Sequence, residues 1–279
     1  MIGRVLVKCA LVAACSASHG SFEATSGVVD VLIYAGQSNM VGADSSSTPA
    51  WLPFAPIPEW FSDLFYDDGL HRWDPLHVSP HGAVFSHEVQ TAKRLYDAGY
   101  QVAVIKMAQG ATFSNRWVPS WPGGPAQEFY TELAEAVASL TTQFPNATGF
   151  RFHFTWDQGE EEARYGYPSP NTAETAVIMA WDDNVNAIRA QVETIVGIDV
   201  DFQVVRTCST IDHKVLPGVL EQLQLNVVDD PADLHDTNDL VFRSDNVHRI
   251  GASQLTLGDR IADRILAKLA ANQVPVLAA

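Results

Sequence analysis

The strongest constraint on this chain is an alternation of short β-branched, apolar runs with longer stretches at helical spacing. Val28-Val29-Asp30-Val31-Leu32-Ile33-Tyr34 and Val102-Ala103-Val104-Ile105 read as buried strands. Phe150, Phe152, Phe154 and Trp156 alternate with Arg151, His153 and Thr155, a period-two strand with one aromatic face. Residues 201–207 make a fourth strand. Helical spacing runs over 85–98 up to Gly99, over 126–140 with Leu133, Val137 and Leu140 on one face, over 173–195, and over 254–269. Such an order specifies a mainly parallel sheet covered by helices on both faces. We therefore expect one domain over residues 27–279, a three-layer α/β/α sandwich. Residues 45–73 and 112–125, rich in Pro, Gly and Trp, read as structured loops.

Hydrophobic residues make up 47% of the 279, enough for a substantial core, which excludes a disordered chain. Seventeen Lys and Arg against 33 Asp and Glu give a net charge of -16, which repels phosphate backbones and argues against nucleic acid as a partner. With no apolar run of about 18 residues, no spanning helix is expected. The first 26 residues read as a segment outside the fold. Arg4 and Lys8 precede an apolar stretch and the small residues Cys15 to Ser18, the pattern of a signal peptide and hence of a secreted or periplasmic protein. Two other readings stay open, a lipid anchor on Cys15 and an uncleaved cytoplasmic chain. Of three cysteines, Cys208 alone lies beyond this segment and reads as a buried apolar residue.

Four short signals each stand at an expected strand end or before the last helix. Gly36-Gln37-Ser38-Asn39-Met40 places a serine in a tight turn after the first strand. Ala108-Gln109-Gly110-Ala111-Thr112 exposes a glycine N–H after the second. Trp156-Asp157-Gln158-Gly159-Glu160 offers the side-chain N–H donors of Gln158 after the aromatic strand. Asp245-Asn246-Val247-His248 sets a carboxylate three residues from an imidazole. Singly, each has an ordinary role: a helix cap, a turn glycine, a polar strand end, a surface histidine. Jointly they supply what serine ester hydrolysis requires, namely a nucleophile, a base, a group that orients the base, and oxyanion donors. No metal or cofactor is called for. His77 and His81 are separated by Pro80, which disfavours a helical metal pair, and no Cys/His spacing suggests zinc.

These blocks resemble those of the SGNH hydrolase superfamily, and most closely its sialate O-acetylesterase-like branch, carbohydrate esterase family six. The resemblance spans about Val31 to Leu266 and implies a flavodoxin-like fold. It implies Ser38 as nucleophile, His248 as base and Asp245 as the partner of His248. It also implies an oxyanion hole from the N–H groups of Ser38 and Gly110 and the Gln158 side chain, with Gln37 and Glu160 as supports. Asp157, Glu162 and Ala111 depart from the family's His, Asp and Gly, which bears on local substrate contacts. The substrate implied is an acetylated carbohydrate, a polysaccharide or sialic acid. Trp117 and Trp121 are candidate sugar platforms, though aromatic rings also serve ordinary loop packing. Three rivals remain: a carboxylesterase on simple lipid or aryl esters, a non-catalytic carbohydrate-binding or virion-attachment module, and a metal-dependent deacetylase. The sequence leaves the oligomeric state open.

Overall fold

The computed structural model describes residues 27–42, 48–63, 72–78, 84–165, 172–207 and 217–279. The amino-terminal segment, Cys208, His81 and His213 lie outside the described residues.

The expected strands form the middle of one sheet. Strand β1 (Gly27–Gly36) is flanked by β4 (Gln101–Ala108) and β5 (Ala147–Asp157), both parallel to it. Beyond β5 come β6 (Asp201–Val205) and the two-residue β7 (Leu234–His235), also parallel. β8 (Leu277–Ala278) pairs antiparallel with the start of β5. Side chains of β1 alternate between two cores. Val29, Val31, Ile33 and Ala35 join Phe129, Leu133, Phe152, Phe154, Trp181 and Val185. Leu32 and Tyr34 join Phe85, Val89, Leu95, Leu257, Ile261 and Ile265 on the opposite face. The first core is covered by α3 (Pro125–Gln143) and α6 (Trp181–Val196), the second by α2 (Glu88–Asp97) and α8 (Gly251–Ala270). The three-layer α/β/α arrangement is therefore as expected.

Three expectations are corrected. Residues 45–73 are not wholly loop: β2 (Phe54–Asp63) joins the sheet beside β4, with β3 (Trp73–Leu76) antiparallel at its outer side. Burial of Ile57, Trp60, Phe61 and Trp73 stabilises the pair. Pro56 and Pro58 are tolerated because pairing with β4 starts only at Glu59, and the β2–β3 register is irregular between Phe54 and Pro58. The helix expected over 173–195 is two, α5 (Thr172–Met179) and α6. They divide just before Trp181, whose fully buried indole N–H donates to Gln158 Oε1 at 2.8 Å. Two further helices, α4 (Glu160–Tyr165) and α7 (Pro217–Asn226), were not foreseen.

His153 points away from the aromatic face of β5 and is fully buried between two carboxylates. Its Nδ1 lies 2.8 Å from Asp201 Oδ2 and its Nε2 lies 3.0 Å from Asp30 Oδ1. Arg151 also grips Asp30, and Lys268 reaches Asp201. Burial opposes a charge on the ring, but bonds to Asp201 and Asp30 outweigh it and raise the His153 pKa to about 9. The folded state thus holds a proton that the unfolded chain releases near pH 6.5. That stabilisation is complete below pH 6.5 and is lost as pH rises through about 9. Unfolding free energy from urea titrations should fall by up to about 3 kcal/mol between pH 6.5 and 9.5. His153→Gln should remove most of that slope; an equal slope in the variant would show that the proton sits elsewhere.

Candidate active site

The site is built where β1, β4 and β5 end side by side, the carboxyl edge at which parallel α/β sheets place ligands. Gly36 closes β1 at φ 150°, and a Cβ on it would stand 2.1 Å from the Asp157 carbonyl oxygen. This close approach lets Gln37 N donate to Asp157 O at 3.0 Å, while Gln109 N donates to Gly36 O at 3.0 Å. The chain then turns at once into α1 (Ser38–Val41), ended by Gly42 in the left-handed region. Ser38 is half-buried between buried Gln37 and Asn39. A Cβ on Gly110 would lie 3.6 Å from Ser38 Cβ, so the two backbones are adjacent. Among the described residues, no backbone hydrogen bond occupies the N–H of Ser38 or of Gly110.

The loop before α8 brings the imidazole to this serine. His248 Nε2 is 2.9 Å from Ser38 Oγ, and His248 Nδ1 is 2.8 Å from Asp245 Oδ2. Asp245 Oδ1 also accepts from the backbone N–H groups of Val247 and His248, at 2.9 and 3.0 Å. The turn passes through Asn246 at φ 55°, a conformation that Asn tolerates. Partial burial pushes the Asp245 carboxyl up, but these hydrogen bonds outweigh it and bring its pKa to about 2. Asp245 is therefore an anion at neutral pH and holds the proton of His248 on Nδ1. The Nε2 lone pair is then left facing the serine hydroxyl.

Beneath the serine lies a buried polar framework. Glu160 accepts from Gln37 Nε2, and from Asn39 Nδ2 at 2.7 Å. Asp157 binds the Arg249 guanidinium and lies 3.2 Å from His87 Nε2. Burial, and next the neighbouring Asp157 charge, raise the pKa of Glu160. Burial would also raise that of Asp157, but Arg249 and His87 reverse this and lower it. Asp157 is thus a structural anion and not a substrate contact. Glu162 is equally enclosed: it accepts from Ser114 N at 2.7 Å and from Gln158, and burial lifts its pKa to about 7.

Two expected site residues stand elsewhere. Both side-chain N–H donors of Gln158 are engaged, one with Thr112 O at 3.0 Å and one with Glu162. Gln158 is also fully buried, so it presents no donor to an oxyanion; it fixes the loop after β4 instead. Trp117 has no exposed surface. Its ring packs edge-on against Phe129 and Trp156, and its Nε1 donates to Thr112 Oγ1 at 3.0 Å. It is a core residue and not a sugar platform, whereas Trp121 is 37% exposed. Asn39 and Arg249 are part of the site but were not singled out from the sequence. No group of three or more His, Cys, Asp or Glu with metal-binding geometry occurs among the described residues. No helix among them is long and apolar enough to cross a membrane.

A serine on the turn after the central strand and an imidazole from the loop before the last helix thus meet at the carboxyl edge of a mainly parallel α/β sheet. The family model described as carbohydrate esterase, sialic acid-specific acetylesterase matches residues 28–267, and the chain belongs to that family. It is accordingly a carboxylic ester hydrolase. Similar folds are found in a protein of Arabidopsis thaliana (TM-score 0.63, 15% identity, covering 85% of this chain and 98% of that one) and in NanS (0.56, 13%, 87% and 98%). A carbohydrate acetylesterase from Xanthomonas citri is also similar (0.56, 15%, 84% of this chain and 55% of that one). A search of curated protein sequences finds no match.

Proposed function

We propose that this esterase removes O-acetyl groups from carbohydrates through an acetyl-Ser38 intermediate. The observation that carries the reading is the continuous contact from Ser38 Oγ through His248 to Asp245. Ser38 Oγ attacks the acetyl carbonyl carbon while His248 Nε2 takes the hydroxyl proton. The C=O electron pair moves onto oxygen, where the N–H groups of Ser38 and Gly110 meet it; removing one such donor typically costs about 10²–10³ in rate. The tetrahedral species then collapses. The C–O bond to the sugar breaks, and His248 returns its proton to the departing alkoxide. Water, deprotonated by the same imidazole, attacks the acetyl-enzyme; the C–O bond to Ser38 breaks, the imidazolium returns its proton to Ser38 Oγ, and acetate leaves. Asp245 holds the tautomer and stabilises the imidazolium formed in each half-reaction. In this reading Trp121, which is exposed, offers its ring to a sugar face.

The test is acetate release from acetylated xylan, O-acetylated sialic acids and acetylated bacterial polysaccharides, with acetyl, butyryl and octanoyl aryl esters in parallel. We expect release from at least one glycan, acetyl turned over faster than the longer acyl groups, and rates unchanged by a chelator. Faster cleavage of octanoyl esters would favour the lipid or aryl carboxylesterase. Glycan retention without acetate release would favour a binding module. Loss of activity in chelator would favour a metal-dependent deacetylase.

A further inference from the structure

We infer that Asn39 is a positioning residue that sets where the His248 ring stands relative to Ser38; the inference rests on the serine-esterase reading above. His248 rides on a loop, and Asp245, which orients the ring, belongs to that same loop. Asp245 therefore fixes the ring within the loop but not the loop against the nucleophile. The connection is made by the residue next to the nucleophile. Asn39 is fully buried, and its amide reaches the backbone on both sides of His248. Nδ2 donates to Val247 O at 3.0 Å, and Oδ1 accepts from Arg249 N at 3.0 Å. One side chain thus forms the pair of bonds that a neighbouring strand would offer, across 208 and 210 residues of chain.

The amide is itself held in a single orientation. Its second Nδ2 hydrogen goes to Glu160 Oε1, so exchanging the amide's oxygen and nitrogen would set oxygen against oxygen at both Glu160 and Val247. The backbone of Asn39 is fixed too: its carbonyl accepts from Ser86 Oγ at 2.7 Å and from Gln254 Nε2 at 3.0 Å. Arg249 adds a second tie through its guanidinium to Asp157. Glu160 serves here as an acceptor, a task a neutral side chain can also perform. Gln37 Oε1 is buried without a hydrogen-bond partner among the described residues, so the Gln37 amide can turn to accept from a glutamine at 160.

The test compares Asn39→Ala, Asn39→Asp, Glu160→Gln and Glu160→Ala on an aryl acetate, with melting curves to identify folded protein. A misplacement near 1 Å between reacting groups costs about 10² in rate. We expect kcat of Asn39→Ala to fall about 100-fold with KM within about threefold, and Asn39→Asp to fall at least as far. Glu160→Gln should stay within about fivefold of the parent, while Glu160→Ala should lose as much as Asn39→Ala. A folded Asn39→Ala enzyme with kcat within about threefold, or with its loss confined to KM, overturns the inference. If Asn39→Ala does not fold, the Glu160 pair decides: equal losses in Gln and Ala overturn it. Ser38→Ala separates the two levels. An inactive Ser38→Ala beside a fully active Asn39→Ala sinks only the positioning role, whereas an active Ser38→Ala sinks the serine mechanism itself.

Discussion

Ser38→Ala should lower kcat/KM on acetyl esters by at least about 10⁴-fold, because the imidazole then has no hydroxyl to activate and catalysis falls back on binding and oxyanion donors alone. The fold should be indifferent. Ser38 is half-buried, and a quarter of the side chain of its partner His248 is exposed. Melting temperature should therefore change by no more than a degree or two, within about 0.5 kcal/mol. Steady-state rates of the parent and Ser38→Ala at equal folded concentration check this. Turnover at the parental rate would remove Ser38 from the chemistry.

Gly36→Ala should give the largest loss of stability among single methyl additions. The new Cβ would meet Asp157 O at 2.1 Å and the Asp157 carbonyl carbon at 2.7 Å, and both are backbone atoms of the adjacent central strand. The φ of 150° adds strain for any L side chain. Overpacking and backbone strain of this kind together cost about 4 kcal/mol. Gly123→Ala is the matched control. It also has positive φ, but nothing lies within 4 Å of its Cβ, so only a strain cost of about 1 kcal/mol is expected. Urea midpoints at unchanged slope measure both. Gly36→Ala should also depress activity, since the Gln37–Asp157 backbone bond beside it sets the start of the turn that carries Ser38.

The central strands were legible because β1, β4 and β5 are β-branched or aromatic runs whose burial leaves little choice of secondary structure. β2 was hidden by its prolines, which local pattern reads as loop; only its pairing with β4 rescues it. The serine and the Asp-x-x-His pair were legible because each is a short local motif at an element boundary. Bringing them within 2.9 Å is a property of the sheet. Gln158 misled for the opposite reason. Its residue type suits an oxyanion donor, but the direction of its amide is set by Thr112 and Glu162, which spacing does not reveal. Trp117 was ambiguous between platform and core until its indole was seen turned inward onto Thr112. Asn39 gave no signal beyond its place in the block, since two of its partners are main-chain atoms more than 200 residues away.

Among the described residues the sheet ends, on both sides, in short strands. One border, β3, is four residues long and carries Pro75, which has no N–H to offer; the other, β7, is two residues long. An incoming strand would find only a few ladder positions at either margin. Edge-to-edge polymerisation, the standing hazard of an open sheet, is thereby discouraged by brevity, by proline and by the charged pair Arg72–Asp74 at the β3 margin.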